Sequence, residues 1–273
     1  MNIYKNKYLL LIVMLLPIIS VCQQKDTERK TQISVDALYQ TKLHYFGRTD
    51  SLQSSALLPT VGIQLKNGLY AQGNFIFVQN AAIPLTYAGS TIETGYRFKE
   101  GKHFNGNFFY TQILYKDKSE LPQSALKAQT GINLTYKSKI VDVNAGSDLK
   151  FSDAQTDVGL SLGIDHIFIF HNDNSHIAYA IAPTAYVYAG TQNFTKSYIQ
   201  QKTFLGVPVA QQTLTQNFSM FNVLSYEISL PLVLVVGKFN ASIAPAYVIP
   251  QNILQGEKAS NLFYLILGIG IKL

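Results

Sequence analysis

The sequence predicts an all-β chain: a single transmembrane, antiparallel, up-and-down β-barrel of twelve strands. Three observations predict it. Apolar and polar residues alternate with period two through most of the body. Turn residues punctuate that alternation, and the connections alternate between short and long. Charged residues make up only 14% of the 273, against about 25% in ordinary soluble domains. That is too little charge to coat a surface facing water on all sides.

The N-terminus has the three parts of a secretory signal. Lys5 and Lys7 give a positive start, Leu9 to Ile19 is apolar, and Ser20-Val21-Cys22 leads into polar Gln23-Gln24-Lys25-Asp26. The apolar run is far short of the roughly 20 residues of a spanning helix. Residues 1–22 therefore read as a signal peptide, 23–30 as a short segment beyond it, and 31–273 as the barrel. Cys22 is the only cysteine. It is either removed with the leader or retained as an acylated first residue, with Val21 a departure from the small residue usual before a lipidated cysteine. Both routes require export. The body then has no disulfide and no cysteine metal site. The formal charge is +6, two of it from Lys5 and Lys7. No clustered basic stripe points to nucleic acid.

The closing segment alternates most regularly. Phe263, Leu265, Leu267, Ile269, Ile271 and Leu273 share one face, and Tyr264, Ile266, Gly268, Gly270 and Lys272 the other. In the opening segment Ile33, Val35, Ala37, Tyr39, Leu43 and Tyr45 oppose Gln32, Ser34, Asp36, Gln40, Lys42 and His44. Twelve strands follow from such stretches: 31–45, 57–66, 69–79, 86–98, 103–115, 125–136, 140–152, 156–170, 176–189, 217–236, 239–250 and 261–273. Most reach the nine to eleven or so residues that a tilted strand needs to cross a bilayer.

Short connections such as Lys66-Asn67-Gly68 and Val236-Gly237-Lys238 carry the glycines that hairpin turns require. The other set, 46–56, 80–85, 116–124, 190–216 and 251–260, is mostly longer; 153–155 breaks the trend. Alternation alone does not say which face is inside. The polar face is rich in Gly95, Gly131, Gly146, Gly159, Gly163, Gly268 and Gly270, which suits a crowded interior better than a solvent coat. The apolar face is nearly free of charge. Aromatic residues sit near both of its ends, as in the two girdles of a membrane slab. The apolar face is therefore expected to meet lipid.

With its closing strand Phe263 to Leu273 and its short-turn, long-loop alternation, the chain resembles the Gram-negative outer-membrane β-barrel proteins over residues 31–273. The resemblance is to a broad superfamily. It implies an outer-membrane location, contact with outer-membrane lipid, insertion by the barrel-assembly machinery, and a porin-like transport or diffusion role. Many members end in an aromatic residue, whereas this chain ends in Leu273.

The polar faces place seven acids, Asp36, Glu93, Asp142, Asp148, Asp157, Asp165 and Glu227, beside five bases, Lys42, Arg97, Lys127, Lys150 and Lys272. Such groups are too costly to face lipid and are expected to line the lumen. They read either as a selectivity lining with slight cation preference or as an ion-pair web filling a small barrel. Lys272 is expected near Asp36, because the last strand must lie beside the first. Bulges are expected at Pro231 and Pro245. Loop 190–216 reads as a hairpin with Tyr198, Gln200, Gln201, Phe204, Gln211 and Gln212 as a recognition surface, or as a solvated extension of its strands.

Gly159-Leu160-Ser161-Leu162-Gly163 matches a nucleophile-elbow pattern but sits within unbroken alternation, not at a strand-to-helix turn. His171 and His176 lack a carboxylate shell for a metal. The sequence thus predicts a small passive channel or uptake pore for small solutes, not an enzyme and without a cofactor or metal. Its alternatives are a closed barrel that binds through its loops and a membrane-embedded hydrolase, for which no motif speaks.

Overall fold

A computed structural model describes residues 30–49, 52–100, 102–116, 126–152, 155–171, 177–193, 220–253 and 259–273. The strands are β1 (Gln32–Gln40), β2 (His44–Tyr45), β3 (Arg48–Thr49), β4 (Ser55–Gln64), β5 (Leu69–Gln79), β6 (Thr86–Glu100), β7 (Phe104–Tyr115), β8 (Leu126–Tyr136) and β9 (Asp142–Ser152). There follow β10 (Thr156–Asp165), β11 (Phe168–His171), β12 (Ile177–Ile181), β13 (Thr184–Gly190), β14 (Asn222–Ser229), β15 (Leu232–Val236), β16 (Phe239–Pro250) and β17 (Leu262–Lys272). β2 and β3 form a separate hairpin. The pairs β10–β11, β12–β13 and β14–β15 are each one stave with a break, so the wall has twelve staves. All pair antiparallel. β17 returns to β1, with Val35 opposite Ile271 and Tyr39 opposite Leu267, and closes the sheet.

The outward face is apolar. In β10, Val158, Leu160, Leu162 and Ile164 are 38–50% exposed, while Asp157, Gly159 and Gly163 between them are buried. Water would penalise such a continuous apolar band, and hydrocarbon would not. Closure matters for the same reason, because an open sheet edge in lipid leaves backbone N–H and C=O groups unpaired. No helix among the described residues is long and apolar enough to cross a membrane.

Short turns form where glycine permits them. Gly68 has φ +95° and Gly237 φ +58°, values costly for other residues. The Gly68 amide donates to Leu65 O at 3.0 Å, and Leu69 N donates to the Asn67 side chain at 3.1 Å.

Proline shapes one side of the wall. Breaks at His166-Ile167, Ala182-Pro183 and Leu230-Pro231 align across three neighbouring staves. Backbone bonds still cross this line: His166 N to Pro183 O (3.4 Å), Ala182 N to Pro231 O (2.9 Å) and Leu230 N to Pro245 O (3.0 Å). Each proline accepts, because it has no N–H to donate. Neither expected bulge occurs as such. The stave breaks at Pro231, and β16 runs through Pro245 in register with Leu265. The bulge in that region lies at Leu224, where pairing passes from Tyr188–Ser225 to Ala189–Val223. A second bulge leaves Lys127 out of the β8–β9 ladder, exposed rather than in register on the wall.

The closing seam places Lys272 opposite Ser34 and Asp36 opposite Gly270, so the two charges are diagonal rather than paired. The Asp36 carboxylate lies over Gly270, in space that a Cβ there would need, and Lys272 is exposed. Lys272→Asp is therefore expected to change stability by less than about 0.5 kcal/mol. Asp36→Lys is expected to destabilise, and the double reversal to be no more stable than Asp36→Lys alone. Urea unfolding of the refolded barrel checks this; recovery in the double variant would show a direct ion pair.

Candidate functional site

β1 leaves the wall after Gln40, five residues before the predicted strand end, and the chain turns inward. His44 to Thr49 then form a two-residue hairpin, with His44 opposite Thr49 and Tyr45 opposite Arg48. Its central residues, Phe46 and Gly47, have φ +51° and +80°. Positive φ at both is the signature of the turn that matches strand twist. Glycine takes it freely; phenylalanine does not. A Cβ on Gly47 would also lie 3.1–3.3 Å from the Pro250 ring.

Packing against the inner wall holds Phe46 in this conformation. Its ring is 5.2 Å from that of Tyr188, and Lys150 Nζ lies 5.9 Å from its centroid. His44 meets Tyr264 edge-on at 4.3 Å. Arg48 fastens the base of the hairpin. Its guanidinium donates to Gln192 Oε1 (3.0 Å), Gln251 O (3.1 Å) and Phe46 O (3.2 Å). Shielded bonds from a charged donor contribute about 1.5–3 kcal/mol each. Ala246, Val248, Leu262 and Tyr264 make a small buried apolar cluster, and Leu224 is buried as well. The long-loop half of the lumen is thus narrowed by a strained, tethered hairpin.

His44 is half-buried there. Its Nδ1 accepts from Gly47 N at 3.3 Å, and its Nε2 has no partner among the described residues. Loss of hydration lowers its pKa from 6.5 to about 4.

The other half of the wall is lined by polar side chains that bond from stave to stave. Thr60 donates to Asn74 (2.7 Å), which donates to Thr91 (2.8 Å). Glu93 accepts from Tyr70 (2.9 Å) and Thr111 (3.0 Å). Thr135 donates to Asn144 (2.7 Å), which donates to Asp165. Arg97 lies over the Tyr70 ring at 4.3 Å and donates to Gln64 Oε1 at 2.5 Å.

The residues singled out in the sequence separate by level. Asp148, Lys150, Asp157 and Glu227 lie toward the hairpin. Lys150 Nζ is 2.5 Å from Asp148 Oδ2. Asp157 is 1% exposed and accepts from Thr191 (2.6 Å) and Asn193 N (2.8 Å), which pins the chain after β13. Glu227 stands opposite Val248 in the β14–β16 register. Arg97, Asp142, Asp165, Asp36 and Lys272 lie toward the short turns, where Asp142 is opposite Asp165 and accepts from Ser138 N at 2.9 Å. Glu93 sits between these levels. Lys42 lies in the turn between β1 and the hairpin. Ser161 of the Gly-Leu-Ser-Leu-Gly run is in the regular pairing of β10, opposite Gly146 and Tyr188. No cluster of metal-ligating residues occurs among the described residues. The leader, Cys22, His176 and the loop residues Tyr198, Gln200, Gln201, Phe204, Gln211 and Gln212 lie outside them.

Period-two alternation does not disclose the in-folded hairpin, which lies within a segment read partly as strand and partly as loop. Its one local signal is Tyr45-Phe46-Gly47-Arg48, two aromatics and a glycine where a solvated loop would be polar.

No family model matches the chain, and no curated protein matches it. Solved structures do. The KdgM porin aligns over 87% of this chain and 98% of its own, at 10% identity and TM-score 0.48. The NanC porin aligns over 88% and 100%, at 12% identity and TM-score 0.48. An outer membrane channel from Pseudomonas putida F1 aligns over 92% and 99%, at 11% identity and TM-score 0.49. At such identities and scores the likeness adds nothing to the closed antiparallel barrel that the strand pairing itself shows.

Proposed function

We propose that this chain is an outer-membrane channel through which small polar solutes diffuse, inserted by the barrel-assembly machinery and working without a cofactor or catalytic group. The observation that carries the reading is the asymmetry of the interior. The short-turn half is a polar, solvent-reached lumen. The long-loop half is crossed, among the described residues, by one short hairpin. A barrel whose inside served only as a core would be packed at both ends. The lumen has mixed charge, and much of that charge is used in internal bonds. The hairpin sets the narrowest passage, as constrictions of this kind set selectivity in channels.

The packed cluster around Val248 and Tyr264 favours a second reading. If the hairpin never leaves it, the barrel is closed and works through its long loops.

Single-channel recording in planar bilayers distinguishes these readings. The natural protein is expected to give small discrete steps. Replacing His44–Thr49 with Gly-Ser-Gly is expected to raise conductance at least about twofold, since a hairpin that fills part of the cross-section is removed. Heat-modifiable migration on gels shows that the variant is folded. A folded but silent variant would support the closed barrel.

Acid provides an independent test. Docked, His44 protonates only near pH 4; undocked, it protonates near its ordinary 6.5. Docking is therefore at full strength above pH 6.5. It weakens as pH falls from 6.5 to 4, because only the undocked hairpin takes up the proton, and it weakens no further below that. The loss is on the order of a hundredfold in the docking equilibrium. Conductance of the natural protein is expected to rise between pH 7 and pH 4.5. His44→Phe keeps a ring against Tyr264 and is expected to stay flat. An equal rise in both proteins would remove His44 from the account.

A further inference from the structure

At the short-turn mouth the lumen opens into a cavity of about 560 Å3, in the size range of sites for small ligands. Its described lining carries Arg97, Lys99, Lys102 and Lys137, and no aspartate or glutamate. The three lysines form no ion pair with any described residue, and all three are exposed.

Arg97 is held in place rather than loosely solvated. Gly95 allows this, since a Cβ there would lie 2.7 Å from the Tyr70 ring. With no side chain in the way, Tyr70 lies flat on the sheet and is fixed by Glu93 (2.9 Å) and Asn107 (3.2 Å). Arg97 then rests on the ring and is steadied by Gln64. A stacked guanidinium keeps its planar fork in one orientation, which suits recognition of a carboxylate or phosphate. Amide groups complete the cavity. The Asn105 side chain makes no described hydrogen bond, and Gln64 uses its oxygen on Arg97, which leaves its NH2 directed elsewhere. Asn105 and Gln64 thus offer the donors and acceptors that hydroxyl groups need.

The geometry points to a binding site for a small hydroxylated anion, a carboxylate or phosphate ester of about monosaccharide size, at the short-turn mouth. Asn105, Asn107, Asn133 and Thr135 lie on the lumen register of β7 and β8, so the site takes a dissolved solute rather than a lipid headgroup. The sign is opposite to the slight cation preference expected from counting the lumen charges. The site does not depend on whether the lumen conducts.

Isothermal titration of the full refolded barrel, in zwitterionic detergent at low salt, tests it with glucose 6-phosphate, inorganic phosphate and glucose as probes. Glucose 6-phosphate is expected to bind more tightly than phosphate, and glucose not measurably. Binding should weaken as salt rises. Arg97→Gln is expected to raise the dissociation constant about tenfold or more, the loss of one charge-assisted contact. Lys99→Gln with Lys137→Gln should do likewise, and Lys238→Gln, in a short turn outside the cavity lining, should not. Heat-modifiable migration shows each variant folded.

Equal affinity for phosphate and glucose 6-phosphate would remove the amides from the site. Unchanged binding in the folded Arg97 and Lys99/Lys137 variants would overturn it altogether. Loss of glucose 6-phosphate binding in vesicles of anionic, but not zwitterionic, phospholipid would make the occupant a headgroup and overturn the solute reading. Channel recordings separate the two proposals: conduction without binding removes only the site, and binding without conduction removes only the channel.

Discussion

In hydrocarbon a backbone amide or carbonyl has no water to bond, so every one in a spanning segment needs a partner in the chain. The rest of this structure follows from that constraint. It requires the sheet to close, and the β1–β17 seam closes it. Closure forces the two faces apart: one meets lipid, and the other encloses whatever is polar. It also explains how the prolines are tolerated. Pro183, Pro231 and Pro245 fall along one line, and each accepts a bond from the neighbouring stave. Those three bonds keep neighbouring staves joined across the line where the strands break.

The same constraint fixes what the interior can be. A twelve-stave barrel is wider than its side chains can readily fill, and among the described residues the apolar filling lies toward the long loops. Against it lies a hairpin that left the wall. Its tip holds a phenylalanine at positive φ, a conformation that costs about 1–3 kcal/mol and persists only where surrounding contacts over-determine it. Those contacts come from Tyr188, Lys150, Pro250 and the Arg48 bonds. Partners from distant staves thus hold that strain in place.

How much of this the sequence disclosed depends on how local each feature is. Alternation is local, so strand existence and facing were legible: β5 and β16 occupy the predicted 69–79 and 239–250, and β17 lies within 261–273. The same locality misled at the first strand. His44 and Tyr45 continue the period-two pattern, but they belong to a hairpin that has left the sheet, and period two cannot tell one sheet from another. The hairpin's placement rests on contacts such as Arg48 to Gln192 and Gln251, which are remote in sequence and carry no local pattern. Proline positions were visible, but their effect was not. Whether a proline breaks a strand or sits within it depends on whether the neighbour needs its N–H, which the register decides.

The charges show the limit most directly. Parity says which side a charged residue occupies but not what stands next to it. Lys150 and Asp148 lie 2.5 Å apart and largely cancel in the far field. Asp157 is enclosed, with its bonds directed at the chain after β13. Asp142 faces its own turn, through Ser138 N. A count of seven acids against five bases gives each of these the weight of a free charge. The lysines of the short turns, which no count of strand faces includes, stand unpaired among the described residues, where a solute first meets the barrel. A field acts on an approaching ion through the charges nearest its path, and a low-dielectric wall focuses it at the mouth. The sign that such a barrel presents to a solute is therefore set by which charges are left over at its rim, and these need not match the sum over its lumen.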